Sequence, residues 1–423
     1  MTGQGKAAAS GLTMRRVLMA AAWSAMTGAM FAAGGAQAAS DAVTIGVLTD
    51  KNSIYAEFGG EGSVVAAKLA IEDHGGKALG KPVTLVSADH QNKADVGLAA
   101  VRKWYDVDGV NAVFDVLNSG MALPIQLLAA EKDRLVFVSG ANNRDLNGKS
   151  CSPHGYTWGY DSYSLSKAVV SGLMKQYGDK ARKWFFITLD YAAGHNIEID
   201  SSDVVKANGG EVVGSARYSL GTNDFASILL KAQASGADVI GLATGGRDLQ
   251  NIIKQAREFG LQQKIATIFM TTTDIQGLGL EMAKGLPMTV DYYWDRDDGS
   301  RHFAERFRKI HGKVPTNTQA SVYSAVNHYL KAVDKAGTTE TKKVIPVLNE
   351  MLVNDAFTKD GKIRADGRMM RDMYYAVIKT PQESKAADDF AKIVTVIPAD
   401  QAFRPASQSE CPALQAKPAS QTR

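Results

Sequence analysis

Apolar residues along the chain fall into short runs that alternate with segments of helical spacing. The first run, residues 43–48, is β-branched and of strand length, and residues 64–71 follow it with a helical period. The same alternation continues with strand-like runs at 82–86, 112–114 and 135–138 and helical segments at 96–105 and 122–131. Apolar strands separated by helices predict a parallel sheet that is covered on both faces.

A second series of the same kind begins near residue 184. Its strand-like runs are 184–188, 211–214, 238–242 and 266–270, and helical segments lie between them. Residues 147–164, rich in Gly, Ser, Pro and aromatics, separate the two series and are predicted to be the first crossover. The pattern therefore predicts two α/β lobes, with a ligand crevice at the carboxyl ends of their strands.

The remaining chain is predicted to complete these two lobes. Helices at 301–311 and 321–336 have no strand between them, so they must cover an existing sheet. Two β-like runs flank Asp366 and Gly367, and their pairing is left open. The segment after Phe403 is rich in Pro, Ser and Gln and is expected to be loose except near Cys411. The predicted domains are a signal peptide (1–39), a first lobe (40–158 and 300–355), a second lobe (159–299 and 356–400) and a C-terminal tail (401–423).

The N-terminal segment has the pattern of an export signal. Arg15 and Arg16 precede a run of apolar and small residues from 17 to 33, and Ala36-Gln37-Ala38 forms an A-x-A cleavage site. The alternative is a membrane anchor, but the run is short and rich in Ala and Gly. We expect cleavage near Ala38 and export of the mature protein. Whether Met14 is the true start, and whether export is Sec or twin-arginine, stays open.

Composition and charge exclude some classes of function. Of the formal charge of +4, three charges come from the first forty residues, which contain Lys, Arg and no acid. The near-neutral remainder has no basic block and no electrostatic footprint for nucleic acid. Cys151 and Cys411 are the two cysteines, and in an oxidising compartment they are expected to pair and hold the tail. The loop-entropy model gives about 5 kcal/mol for so long a loop.

The motifs of common catalytic and cofactor sites are missing from the sequence. It contains no phosphate loop, H-E-x-x-H, C-x-x-C or G-x-S-x-G. Gly60-Glu61-Gly62 is followed by Val65 where a dinucleotide fingerprint needs a third glycine, and the seven histidines have no ligand spacing. We therefore expect no cofactor, no metal and no enzymatic activity.

Small polar residues instead follow two strands of the first series. Asn118-Ser119-Gly120 comes after one strand, and Ser139-Gly140-Ala141-Asn142 comes after the next. Hydroxyls and free N–H groups at a helix N-terminus suit a carboxylate. The alternative is that these residues only cap their own helices.

These segments resemble branched-chain-amino-acid-type periplasmic binding proteins. The resemblance is carried by residues 43–50, Tyr55, the Gly59-Gly60-x-Gly62 helix entry, Ser139-Gly140-Ala141, residues 190–194, Asp224-Phe225, residues 255–260 and Pro315-Thr316. It extends in order from about residue 43 to residue 400.

The resemblance implies a type I fold: two Rossmann-like lobes with parallel sheets, joined by a three-strand hinge. It also implies a periplasmic location and a monomer that serves an ABC importer permease in the inner membrane. In the family, the loops matching Asn118–Ser119–Gly120 and Ser139–Gly140–Ala141–Asn142 hold the ligand carboxylate. The tyrosines matching Tyr55 and Tyr191 pack on the ligand from opposite sides, as aromatic faces do at low entropic cost.

The second lobe departs from the amino-acid binders, which pair the ligand ammonium with a glutamate. Asp274 stands in the matching stretch and could accept from a ligand or cap its helix, and Thr244 offers little bulk. Trp158, residues 293–295 and 383–385, and Cys411-Pro412 resemble a subgroup that takes up aromatic acids. An aromatic acid such as a hydroxycinnamate or benzoate is favoured. The alternatives are a branched-chain or hydrophobic amino acid for transport, or a ligand-sensing module that works with a partner receptor.

Overall fold

The computed structural model describes residues 42–415. The predicted export signal and its cleavage site lie outside the described residues and stay predictions. Fifteen strands and fourteen α-helices are present in the described range.

A six-stranded sheet organises the first lobe. Its strands, in spatial order, are β2 (Lys77–Ala78), β3 (Lys81–Asp89), β1 (Val43–Thr49), β4 (Ala112–Asp115), β5 (Leu135–Val138) and β6 (Gly155–Thr157). All pairings are parallel except the β2–β3 hairpin. Every residue of β1, β4 and β5 is buried, as expected for strands covered on both faces.

Helices cover both faces of this sheet. One face carries α1 (Gly60–Asp73), α10 (Asp298–His311), α11 (Asn317–Ala336) and α12 (Thr341–Glu350), and the other carries α2 (Ala94–Asp106) and α3 (Ser119–Glu131). The predicted helices after residue 297 therefore do cover an existing sheet. Stacked rings of Phe114, Phe137 and Tyr156 form part of the core, with centroids 4.8 and 4.9 Å apart.

A four-stranded parallel sheet organises the second lobe. Its order is β10 (Lys264–Thr267), β9 (Val239–Ala243), β7 (Lys183–Leu189) and β8 (Glu211–Tyr218). The helices α4 (Ser162–Tyr177) and α5 (Ala192–Ala207) cover one face, and α6 (Ala226–Ala234) and α7 (Gly246–Glu258) cover the other. Two short helices, α8 (Thr272–Leu278) and α9 (Leu280–Ala283), follow β10.

A three-stranded antiparallel sheet extends the second lobe. It contains β11 (Pro287–Val290), β14 (Met373–Ile378) and β15 (Ala391–Ile397). The runs that flank Asp366 and Gly367 do not pair with each other along their length. Instead β12 (Lys362–Ile363) pairs with β13 (Met369–Met370), and β14 pairs with β11 and β15.

The chain passes between the lobes three times. The crossovers lie between β6 and α4, between β11 and α10, and between β13 and β14. Two buried arginines tie these crossovers together: Arg368 pairs with Asp161 at 3.0 Å, and Arg371 pairs with Asp291 at 2.6 Å. The predicted fold, two α/β lobes on a three-strand hinge, is confirmed.

The lobe boundaries themselves stay predictions. Phe357, Ile363 and Met369 pack in the core of the first lobe, although they fall in the range 356–400 that the sequence assigned to the second lobe.

The disulfide between Cys151 and Cys411 is present, with the two Cα atoms 5.6 Å apart. The expectation that the tail after Phe403 is loose except near Cys411 is wrong at Arg404 and Ser409, whose side chains contact the rest of the protein. Phe403 itself is buried, and Arg404 forms an ion pair with Asp200. The short helices α13 (Ala399–Ala402) and α14 (Pro412–Gln415) flank this segment.

Candidate functional site

The predicted site residues lie in loops that follow strands of the two parallel sheets. We use "cleft" for the space between the loops after β1, β4 and β5 of the first lobe and those after β7, β9 and β10 of the second. Tyr55, Asn118 and Ser139 lie in loops or at a helix start on the first side, and Tyr191 and Thr244 lie on the second.

Asn118 caps the helix α3. Its Oδ1 accepts hydrogen bonds from Gly120 N at 2.9 Å and Met121 N at 3.0 Å. Because both donors are backbone N–H groups, the atom that faces them must be the amide oxygen. Asn118 therefore caps its own helix, and the same oxygen also accepts a hydrogen bond from the second lobe. Its predicted role in holding a ligand stays a prediction.

Asn92, which the sequence analysis missed, holds the other end of this amide. Asn118 Nδ2 donates to Asn92 Oδ1 at 2.6 Å, and Asn92 N donates to His90 Nδ1 at 3.0 Å. Asn92 has a φ of 53°, in the left-handed region that asparagine tolerates better than most residues. The sequence did contain a signal for Asn92, because a run of polar residues, Asp89-His90-Gln91-Asn92, stands at the end of β3.

The two predicted carboxylate loops contact each other. Ser119 Oγ accepts from Asn142 N at 2.9 Å, so the second loop is held against the start of α3. A Cβ at Gly140 would lie 2.9 Å from Leu117 Cδ2, so any side chain there would have to displace Leu117. Ser139 Oγ and Asn142 Oδ1 are buried without a hydrogen-bond partner among the described residues. These loops are therefore packed closely and still have unused polar atoms.

Tyr191 reaches across from the second lobe. Its hydroxyl donates to Asn118 Oδ1 at 3.0 Å and accepts from Gly120 N at 3.1 Å. Burial raises the pKa of this phenol, although its two partners on the first lobe oppose the rise. One hydroxyl thus lies at the N-terminus of a thirteen-residue helix and links the two lobes.

Tyr55 faces the same space from the first lobe. Asp50 holds its loop by accepting hydrogen bonds from Tyr55 N at 3.0 Å and Ser53 N at 2.9 Å. The pKa of Tyr55 is raised to about 12, chiefly by burial, with smaller contributions in the same direction from Tyr191, Asp50, Asp248 and Asp274. Tyr55 and Tyr191, predicted to contact a ligand from opposite sides, therefore lie near each other across the cleft.

The predicted second-lobe residues are held mainly within their own lobe. Asp274 forms a capping box at the start of α8, where its Oδ2 accepts from Thr271 N at 2.9 Å and its Oδ1 accepts from Gln250 Nε2 at 3.3 Å. Burial raises the pKa of Asp274. Thr244 Oγ1 accepts from the Tyr218 hydroxyl at 2.6 Å. Capping, one of the two roles foreseen for Asp274, is present.

Asp248 is a further acid that the sequence analysis missed. It lies in the first turn of α7, two residues after Gly246, and its Oδ2 accepts from Gly221 N at 3.3 Å. Burial raises its pKa. An acid in the first turn of the helix that follows Thr244 was the available signal.

Aromatic rings from three parts of the chain meet beside the crossovers. Phe58 of the first lobe lies 6.3 Å from Tyr160 of the first crossover and 6.1 Å from Phe269 of the second lobe. The Tyr160 and Phe269 centroids are 5.3 Å apart. This cluster gives the hinge end of the cleft an apolar, aromatic wall.

Asp115 lies buried at the carboxyl end of β4, beside the hydroxyls of Thr49 and Ser63. Burial raises the pKa of its carboxyl group to about 7. Its φ of 83° is uncommon for a residue other than glycine and marks a constrained turn just before Asn118.

Residues 42–415 contain no cluster of three or more His, Cys, Asp or Glu side chains arranged to hold a metal ion. In the same range, no helix has both the length and the apolar character needed to cross a membrane.

Two hinged α/β lobes with polar loops and tyrosines facing each other define a ligand-binding protein of the two-lobe class. A family model described as periplasmic binding protein matches residues 42–386, and the chain belongs to that family.

Several individual proteins are similar to the chain. A periplasmic binding protein from Burkholderia mallei is 42% identical with a TM-score of 0.85, and the match covers 88% of this chain and 99% of that one. A structure titled as a branched chain amino acid ABC transporter periplasmic ligand-binding protein from Burkholderia xenovorans is 43% identical, with a TM-score of 0.82 and coverage of 88% and 100%. The Leu/Ile/Val-binding protein homolog 4 of Brucella abortus is 23% identical over 66% of this chain and 69% of its own length.

Proposed function

We propose that this chain is the extracytoplasmic substrate-binding protein of an ABC importer and captures a small carboxylate-bearing solute by hinge closure. The observation that carries the proposal is the Tyr191 hydroxyl of the second lobe, bonded to Asn118 and Gly120 at the N-terminus of α3. Closure places donors from both lobes around one point, so a ligand held there stabilises the closed form. The protein acts alone as a monomer, delivers its ligand to an inner-membrane permease and catalyses nothing.

The start of α3 favours an anionic group. Its N-terminus carries partial positive charge, and the Ser119 hydroxyl and the Asn142 loop lie next to it. A ligand carboxylate bound there would share or replace the hydrogen bond that Gly120 N now makes to Tyr191.

An aromatic acid fits the cleft better than an ammonium-bearing ligand. Tyr55, Tyr191 and Phe269 offer flat apolar faces. Three carboxylates raise the pKa of Tyr55, and each already accepts a hydrogen bond within its own lobe. Asp50 accepts from Ser53, Asp248 from Gly221, and Asp274 from Thr271. An ammonium group would find none of these three acids without partners.

A branched-chain or hydrophobic amino acid is the second candidate. The charged side chains that raise the pKa of Tyr55 are all acids. The negative electrostatic potential that they produce in the cleft attracts an ammonium group. The printed names of the B. xenovorans and B. abortus relatives also refer to branched-chain amino acids.

A thermal-shift screen of the mature protein separates the two ligand classes. The panel contains benzoate, 4-hydroxybenzoate and 4-hydroxycinnamate against leucine, isoleucine, valine and phenylalanine. At one hundred times Kd a ligand adds about 2.7 kcal/mol, which corresponds to a shift of roughly 3 °C for a chain of this length. The control is 4-hydroxybenzamide, which keeps the ring and lacks the carboxylate charge.

We expect an aromatic acid to raise the midpoint and the benzamide to leave it unchanged. A shift with the amino acids alone would establish the second candidate. Equal shifts with acid and amide would exclude carboxylate recognition, and the absence of any shift across both classes would count against the proposed ligand chemistry. Uptake of the labelled ligand by cells with and without the chain distinguishes transport from sensing.

A further inference from the structure

The C-terminal tail runs from the second lobe to the first beside the hinge. On the second-lobe side, Ala402 and Phe403 are buried in the hydrophobic cluster that also contains Leu165 of α4 and Phe186 of β7. Phe403 is therefore anchored in the second lobe by burial of its whole ring.

Charged contacts hold the next residue of the tail. Arg404 forms an ion pair with the buried Asp200 of α5, and its guanidinium lies 4.9 Å from the centroid of the Tyr163 ring. Asp200 also lies 3.7 Å from Arg144, which precedes the first crossover in the chain. Arg404 O accepts from Arg364 Nη1 at 2.7 Å.

The tail also contacts the hinge directly. The Phe403 ring lies 4.7 Å from the guanidinium of Arg368 and 5.7 Å from that of Arg371. These are the two arginines that tie the crossovers through Asp161 and Asp291. Movement of the hinge therefore acts on the tail's anchor.

The far end of the tail is attached to the first lobe. Ser409 Oγ donates to Asn147 O at 3.3 Å, and Cys411 is joined to Cys151 in the segment between β5 and β6. Together these contacts form a fourth connection between the lobes, in addition to the three crossovers.

We propose that residues 402–411, closed by the Cys151–Cys411 disulfide, form a tail clasp that limits how far the two lobes open. This inference rests on the proposed binding function. Seven residues lie between Phe403 and Cys411, and the eight residue-to-residue steps span at most about 26–29 Å when fully extended. While both anchors hold, the lobes cannot separate beyond that reach on this side. If opening is restricted, a larger fraction of the ligand-free protein is near the closed conformation. The apparent affinity for the ligand rises with that binding-competent fraction.

The test compares the wild-type chain with the double variant Cys151→Ser/Cys411→Ser. Small-angle X-ray scattering of each ligand-free protein gives its radius of gyration, and isothermal titration calorimetry gives Kd for the best ligand of the screen. We expect the ligand-free variant to be more expanded and its Kd to rise about three- to tenfold. Both proteins should have the same radius when saturated with ligand, because closure is then driven by the ligand.

Two controls isolate the covalent closure. A chain truncated after Gln415 keeps the clasp and should behave as wild type. Reductant should expand the wild-type protein and leave the serine variant unchanged, and thermal unfolding must show that each protein is folded at the temperature of measurement.

An unchanged ligand-free radius in the folded variant overturns the clasp, whatever the affinity does. Because that comparison needs no ligand, it tests the clasp even if every compound in the screen fails and the proposed function is lost.

Discussion

Replacing Tyr191 tests the cleft most sharply among single substitutions. Its hydroxyl makes two hydrogen bonds to the first lobe, at 3.0 and 3.1 Å, and each contributes about 0.5–1.5 kcal/mol. Loss of the half-buried ring removes roughly 1 kcal/mol more from the closed form. Tyr191→Ala should therefore weaken ligand binding by about 2–3 kcal/mol, a rise in Kd of about 30- to 150-fold. Tyr191→Phe removes only the hydroxyl and should raise Kd about fivefold.

The fold should tolerate both changes. Tyr191 is the N-cap residue of α5, yet its side chain makes no capping hydrogen bond, so the helix does not depend on it. The melting midpoint of the ligand-free protein should shift by no more than about 2 °C for such a site. Isothermal titration calorimetry measures Kd, with Tyr177→Ala, an exposed tyrosine at the end of α4, as matched control. A Kd for Tyr191→Ala within twofold of wild type would refute the placement of the ligand in this cleft.

Three further predictions concern other features of the structure. Asn92→Gly removes the side chain and still accommodates the φ of 53°, so it frees the Asn118 amide to rotate away from the cleft. It should raise Kd several-fold in calorimetry and lower the free energy of unfolding by no more than about 1 kcal/mol. An unchanged Kd would show that the Asn118 amide needs no support from Asn92. The folded-state pKa of Asp115 is raised from 3.8 to about 7, so its contribution to stability falls as pH rises from about 4 to about 7. Denaturant unfolding at several pH values should show that the free energy of unfolding depends less on pH for Asp115→Asn than for the wild type. Identical pH profiles for the two proteins would refute the raised pKa of Asp115. Cleaving the Cys151–Cys411 disulfide releases a long loop and should lower the free energy of unfolding by about 2–5 kcal/mol in guanidinium titrations. An unchanged unfolding midpoint would show that the disulfide does not stabilise the fold.

The fold could be predicted from the sequence because its strands are buried on both faces. Residues 43–48, 135–138 and 184–188 are apolar without alternation, and the structure places each within a central parallel strand. The strands Pro287–Val290 and Ala391–Ile397 were not predicted. The first is only four residues long and opens with proline, and the second alternates exposed valines with polar residues in an antiparallel edge. Such runs resemble loops until their partner strands are known.

The candidate site was only partly accessible. Asn118 and Tyr191 could be selected from the sequence, but their hydrogen bond across the lobes depends on hinge geometry, which no local pattern encodes. Asn92 and Asp248 were missed because each acts on a residue distant in the chain. The tail was misjudged for a similar reason, since its polar composition gave no indication that Phe403 and Arg404 have partners in the second lobe.

The most direct test is a crystal structure of the mature chain grown with the tightest-binding compound from the screen. It shows where the compound binds and whether the compound is chemically unchanged. We predict an unaltered molecule enclosed by both lobes, its acid group within about 3.2 Å of donors at the start of α3 and its body against Tyr55 and Tyr191. A compound bound outside the cleft, or recovered there as a reaction product, would contradict the account.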